Sequence, residues 1–123
     1  MSKQVRKGTG SAVLLTVSGD DIRQGTGSLV LLNIDGSNVR KGTGSAIVLN
    51  ISGHNIRKGT GSTVICNING DQIREGTGSK VLFNLDDQNL REETGSRTLY
   101  NMTGYLSVVE LAAVLYALNE LPL

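Results

Sequence analysis

The chain has 123 residues, and its 12 Lys and Arg residues against 11 Asp and Glu residues leave a net charge of only +1. A chain so close to neutral has no long-range attraction for nucleic acid or for an anionic membrane, so we expect neither as a partner. The length suits one domain, 1–123.

The first residues are polar and lack the apolar segment of a secretion signal. The one apolar stretch, residues 106–118, is shorter than the roughly 20 residues that cross a bilayer. We therefore expect a cytoplasmic protein that is not inserted in a membrane.

A 17-residue unit is repeated six times in tandem within residues 5–102. Such a period indicates one supersecondary unit copied in series, which buries its apolar face only with its neighbours. Five copies carry the quartet Gly-Thr-Gly-Ser, and the sixth carries a variant of it. The quartets begin at Gly8, Gly25, Gly42, Gly59 and Gly76, and the sixth has Glu93 in place of its first glycine.

Each copy also contains a short run of branched aliphatic residues, such as residues 45–51, which predicts a strand. A pair that begins with glycine follows the run, as at Gly19, Gly36, Gly53 and Gly70, and this order is typical of a two-residue type II′ hairpin turn. The fifth turn has Asp87 instead, where a positive φ costs about 1 kcal/mol.

This turn predicts the register of every hairpin. In the second repeat Ile34 then faces Val39 on one side of the sheet, and Asn33 faces Arg40 on the other. Every hairpin thus has an apolar pair, and its polar pair joins an arginine to Asn or, once, to Thr16.

The two glycines of the quartet are expected to differ. Because Glu93 replaces the first glycine in one copy, we expect that position to have an ordinary negative φ. The second glycine, as at Gly44, occurs in all six copies, so it is the candidate for a positive φ or a close backbone approach.

The two ends of the periodic region complement each other. If the series closes, Val5 falls opposite Met102 and Arg6 opposite Asn101, which extends both ladders and removes the free edges. We predict an all-β fold with one C-terminal helix, in which six hairpin repeats close into a pseudo-symmetric flower- or propeller-like ring. The alternative is a β-solenoid with a helical cap, which would stack the repeated arginines about 4.8 Å apart.

The tail breaks the period at a capping box, Ser107 with Glu110, which predicts a helix within residues 107–119. Apolar residues surround this helix almost completely, so it must be buried. It either covers one face of the ring or packs against a second copy of the chain or another protein.

The unit NVRKGTGSAIVLNISGH, residues 38–54, resembles the short-hairpin repeats of bacterial β-flower proteins. The resemblance covers residues 5–102 and implies a compact pseudo-symmetric fold. It implies no particular activity.

Catalytic and metal chemistry have little support in the sequence. His54 occupies a turn position that holds Asp20 or Ser37 in other copies, and Cys66 occupies an apolar position that holds Leu49 in another. One His and one Cys do not supply the usual ligand sets for zinc or transition metals. We predict no metal, no cofactor and no enzymatic activity.

Two functional hypotheses follow. The first is a non-enzymatic structural or protein-interaction module that self-associates, or binds another protein, through its helix. The second is a multivalent binding domain for small anions or glycans, although a purely structural role would also repeat an arginine in every unit. The candidate ligand-binding residues are Arg6, Arg23, Arg40, Arg57, Arg74 and Arg91 with Asn33, Asn50, Asn67, Asn84 and Asn101.

Overall fold

The computed structural model describes residues 2–122, so Met1 and Leu123 of the predicted domain 1–123 lie outside the described part. Strands and one helix account for most of that part. The elements are β1 Ser2–Lys7, β2 Val13–Ser18, β3 Asp21–Gln24, β4 Val30–Asp35, β5 Asn38–Lys41, β6 Ile47–Ser52, β7 Asn55–Lys58, β8 Val64–Asn69, β9 Gln72–Glu75, β10 Val81–Asp86, β11 Asn89–Glu92, β12 Thr98–Met102 and α1 Val108–Ala117.

The strands form one closed antiparallel barrel in which each strand pairs with its neighbours in the chain. The barrel closes between β1 and β12, where Val5 lies opposite Met102 and Arg6 opposite Asn101. The predicted ring is therefore confirmed with its register, and the solenoid alternative is wrong. Closure leaves no strand of the barrel with an unpaired edge.

A two-residue turn joins each of the strands β2, β4, β6, β8 and β10 to the strand that follows it. The pairs Ile34 with Val39 and Asn33 with Arg40 confirm the predicted hairpin register. Gly36, the first residue of this turn, has a φ of 63°, and Asp87 at the same place in the fifth turn has 59°. The fifth turn thus keeps the backbone conformation of the others despite the strain on Asp87.

The quartets form tight corners at the opposite end of the barrel, which we call the quartet end. In one corner the N–H of Gly44 donates to the carbonyl oxygen of Lys41 at 3.1 Å. The first glycine has the positive φ, 57° at Gly42, and Glu93 has 49°. The prediction for these glycines was therefore wrong, because Glu93 occupies a strained left-handed conformation. A Cβ on Gly44 would meet the Lys41 oxygen at an ordinary 3.5 Å, and nothing in the structure explains why this glycine recurs.

A bulge follows every corner. Arg23 pairs with Val30 and Ile22 with Leu32, which leaves Leu31 as an extra residue in its strand. The same register shift occurs in the other five repeats. A bulge bends and twists its strand, and six of them help to close the sheet.

The inner face of the barrel carries the core, to which Val5, Ile22, Val39, Ile56 and Ile73 contribute fully buried side chains. Helix α1 belongs to the same cluster, and its residues 111–115 are buried on all sides. It contacts β3, β4, β5 and β6, so it lies nearer to one side of the barrel.

Contacts at its two ends show how α1 lies in the barrel. The Lys3 ammonium is 3.1 Å from a Glu110 carboxylate oxygen at the first turn of the helix. Ala117, at its last turn, lies near Lys7 at the quartet end of the same strand. Because Lys3, Val5 and Lys7 lie on one face of β1, the helix runs through the lumen from the end of the barrel near Lys3 to the end near Lys7. The end near Lys3 is called the hairpin-turn end below.

The start of α1 confirms the predicted capping box. Ser107 accepts a hydrogen bond from the N–H of Glu110 at 3.2 Å, and the Glu110 carboxylate accepts one from the N–H of Ser107 at 2.9 Å. Two of the orphan donors at the helix N-terminus are thereby satisfied. The helix begins inside the predicted range 107–119.

Candidate functional site

The candidate arginines form a belt around the outer wall of the barrel. Each lies on the face opposite to the buried residue before it, as Arg40 does after Val39. Neighbouring arginines are two strands apart, which is about 10 Å. The structure therefore places one arginine on each repeat and does not gather them in a single pocket.

The candidate asparagines contact the quartet corners. The Asn50 amide nitrogen donates to the carbonyl oxygens of Gly59 at 2.8 Å and Gly61 at 3.0 Å. Asn33, Asn67, Asn84 and Asn101 make the same pair of bonds in their own corners. Each amide group thus satisfies two carbonyls of a corner that has few other donors, and it stabilises the corner.

The arginines have different partners from one repeat to the next. Arg40 is 2.5 Å from Asp35 and Arg91 is 2.6 Å from Asp86, both across a hairpin turn, and Arg23 is 3.8 Å from Asp21. Arg6 and Arg74 donate to the side-chain oxygens of Gln4 and Gln72. Within residues 2–122, only the Arg57 guanidinium has no hydrogen bond or ion pair with a protein group.

The inner nitrogen of the guanidinium group is covered in most copies. Nε of Arg6, Arg23, Arg40, Arg57 and Arg91 is buried without a hydrogen-bond partner. The bulge pairs each arginine with a β-branched residue, as Arg57 with Val64, so its stem lies over apolar surface of the wall. A ligand can reach only the terminal nitrogens of these groups.

A second feature, which the sequence did not predict, is an amphipathic cleft at the quartet end. It consists of two adjoining cavities of about 420 and 270 Å³ beside the last turn of α1. Leu31 and Ala117 line both cavities, Lys7 and Gln24 lie at the larger, and Lys41 lies at the smaller. The only sequence signal was the pair of adjacent apolar residues at each bulge, which breaks the alternation of a strand.

Tyr100 also lines the larger cavity, and its hydroxyl donates to Glu120 at 2.6 Å. Burial, followed by the hydrogen bond and charge of Glu120, raises the pKa of Tyr100 to about 12. The phenol therefore stays neutral at physiological pH and fixes the segment after α1 against β12.

The remaining residues with reactive side chains are dispersed. Cys66 is fully buried, and this burial, with the nearby Glu75 charge, raises the pKa of its thiol to about 11. His54 is exposed in its hairpin turn. In residues 2–122 no three His, Cys, Asp or Glu side chains cluster as a metal site would require. The helix found in this part of the chain is too short to cross a membrane.

Comparison with known proteins agrees with this architecture. No curated protein matches the chain, and no solved structure matches it. A family model described as "6-fold beta flower protein" matches residues 2–115, which include all twelve strands and most of α1. With its six hairpin repeats closed around one helix, the chain belongs to the 6-fold beta flower protein family.

Proposed function

We propose that this protein is a non-enzymatic interaction module whose rigid barrel self-associates through the hairpin-turn end. The family assignment describes a small repeat domain. The observation that supports self-association is an exposed apolar patch at the hairpin-turn end. Tyr105 is 65% exposed at the start of the segment leading into α1, and Leu106, Val108 and Val109 beside it are only partly buried.

We propose a second copy of the chain as the partner at this patch. Every strand edge is paired, so strand addition is not open to a partner and contact has to be made by side chains. Tyr105 is held in place because its hydroxyl donates to Asp87. A fixed aromatic side chain loses little conformational entropy when a partner covers it.

Sedimentation velocity over a range of concentrations tests this proposal. We expect wild-type protein to form a dimer in the micromolar range and Tyr105→Lys to remain monomeric. Leu29→Lys is the matched control, because Leu29 is 60% exposed but lies at the quartet end. Wild-type protein that stays monomeric at millimolar concentration would refute self-association, as would equal weakening by both variants.

A second candidate function is binding of a small anion at Arg57. Its terminal nitrogens have no protein partner in the described part of the chain, whereas Arg40 is paired with Asp35. Guanidinium groups bind carboxylates and phosphates in a bidentate manner. This reading reduces the multivalent hypothesis to one principal site.

Thermal unfolding with phosphate, citrate or neutral sugars tests this second candidate. An anion that binds at Arg57 raises the melting temperature of wild type and of Arg40→Gln, and leaves Arg57→Gln unchanged. Equal shifts in all three proteins would indicate a general salt effect and would exclude the site. A shift with neutral sugars alone would exclude the anion.

A further inference from the structure

The barrel and its helix differ in symmetry, so equivalent positions of the six repeats are covered to different extents. Six similar repeats surround the lumen, but one helix fills it and lies nearer β3–β6. At β8 the bulge residue Ile65 is buried, whereas at β2 and β4 the corresponding Leu14 and Leu31 are only partly covered. These leucines and the last turn of α1 line the cleft.

The floor of the cleft is apolar. Leu14, Leu15 and Leu31 of the wall and Ala117 and Leu118 of the helix line the larger cavity. Its volume of about 420 Å³ lies in the range of small-molecule sites, which are mostly apolar with a few placed polar groups. The alkyl chain of a small ligand would lose contact with water if it lay against these side chains.

The edge of the cleft is positively charged. Lys7 and Lys41 lie at its two cavities, and neither ammonium group has an ion pair or hydrogen bond with a protein group of residues 2–122. The equivalent positions in the other three repeats are Lys58, Glu75 and Glu92, and Glu92 lies two strands from Lys7 across the closure. The Glu120 carboxylate accepts from Tyr100 and lines neither cavity.

We propose that this cleft binds a small amphipathic anion, with its alkyl chain on the leucines and its carboxylate or similar head at Lys7. The polar groups around Lys7 favour this orientation, since the Gln24 side chain lies at the same cavity and can donate to the head. The site is at the opposite end of the barrel from Tyr105. Its occupancy is therefore independent of self-association.

Isothermal titration calorimetry with octanoate and decanoate below their micellar concentrations tests the site. If the two additional methylenes are fully buried, decanoate binds about fifteenfold tighter than octanoate. Lys7→Gln should weaken decanoate about fivefold, as expected for one partly exposed charge pair. Lys58→Gln is the matched control, because it removes the same charge at the same repeat position outside both cavities.

A variant that fills the cleft tests its position. Ala117→Phe places a ring against Leu31 and should abolish decanoate binding while Tyr105-dependent association is unchanged. If circular dichroism shows that this variant is unfolded, Ala117→Leu is the milder replacement, and it should weaken binding by tenfold or more.

Several outcomes would overturn the proposal. One is that Lys58→Gln weakens decanoate binding as much as Lys7→Gln does. Another is that a folded Ala117 variant binds decanoate as tightly as wild type. A third is that octanoate and decanoate bind with equal affinity. Binding to anionic vesicles without binding of free decanoate would assign the surface to a membrane instead.

Discussion

The Asn101 side chain donates to the carbonyl oxygen of Gly8 at 2.8 Å, which joins the last strand of the barrel to its first corner. It also donates to Gly10 at 3.0 Å. Asn50 makes the same two bonds inside the chain's middle repeats, to Gly59 and Gly61. The contact that closes the barrel therefore has the same hydrogen bonds as a contact between neighbouring repeats within the chain.

This equivalence predicts equal effects of mutation. Asn101→Ala and Asn50→Ala should each reduce the free energy of unfolding by about 0.5–2 kcal/mol, because each removes two hydrogen bonds to corner carbonyls. Urea denaturation of both variants provides the comparison. An Asn101→Ala protein as stable as wild type, beside a destabilised Asn50→Ala, would mean that the first and last repeats do not meet in solution.

The first repeat offers a gain of stability. Thr16 occupies the asparagine position and makes one bond, to the carbonyl oxygen of Gly25 at 2.6 Å. Thr16→Asn should add a bond to Gly27 and increase the free energy of unfolding by about 0.5–1.5 kcal/mol. A decrease in stability, measured by urea denaturation, would show that the asparagine bonds do not hold the corners.

The strained Glu93 provides a test of the corner conformation. Glu93→Gly relieves a φ of 49° and should raise stability by about 0.5–1 kcal/mol, after the greater freedom of glycine in the unfolded chain is deducted. Glu92→Gly is the control, because Glu92 lies in β11 without a positive φ and should lose stability. A lower melting temperature for Glu93→Gly than for wild type is the contrary result.

The Glu110 carboxylate makes the stability of the folded protein depend on pH. Burial alone raises its pKa, but the N–H of Ser107 and the Lys3 ammonium outweigh burial and lower the pKa below the usual 4.5. A depressed folded-state pKa gives stability that is present above the unfolded value and is lost as the pH falls through the folded one.

Acid denaturation curves of Glu110→Gln and wild type test this dependence. The variant should be less stable at pH 7, and the difference should shrink below about pH 4.5 as the wild-type carboxylate is protonated. Ser107→Ala keeps the carboxylate and should lose about 1 kcal/mol through the cap. A wild-type advantage over Glu110→Gln that grows toward low pH would contradict this role.

Much of the fold could be predicted from the sequence because the constraint is local and repeated. A glycine-led turn determines one register, and that register paired Ile34 with Val39 and, by closure, Val5 with Met102. The capping box at Ser107 located the helix for the same reason. The turns and the cap depend on residues close together in the sequence, and the turn pattern recurs from one repeat to the next.

The prediction for the quartet glycines was wrong because it assumed that a position occupied by Glu93 cannot be strained. The surrounding hydrogen bonds hold Glu93 in the conformation of the other five copies, and they outweigh the local cost.

The candidate cleft could not be predicted from the repeats, because part of its lining comes from α1, which is not a repeated element. The distance between Leu31 and Ala117 depends on the path of α1 through the lumen, and no motif encodes that path. The sequence predicted correctly that Asn33 lies opposite Arg40. The Asn33 side-chain amide, however, donates to the quartet corner at Gly42 and not to the arginine.

The closed barrel is tested most directly by cross-strand nuclear Overhauser effects between β1 and β12. Antiparallel pairing places the Cα atoms of Val5 and Met102 about 5 Å apart, so backbone contacts should appear between these residues and between Arg6 and Asn101. Contacts confined to neighbouring repeats, with none joining β1 to β12, would show an open chain of hairpins and would contradict the lumen, the belt of arginines and the cleft together.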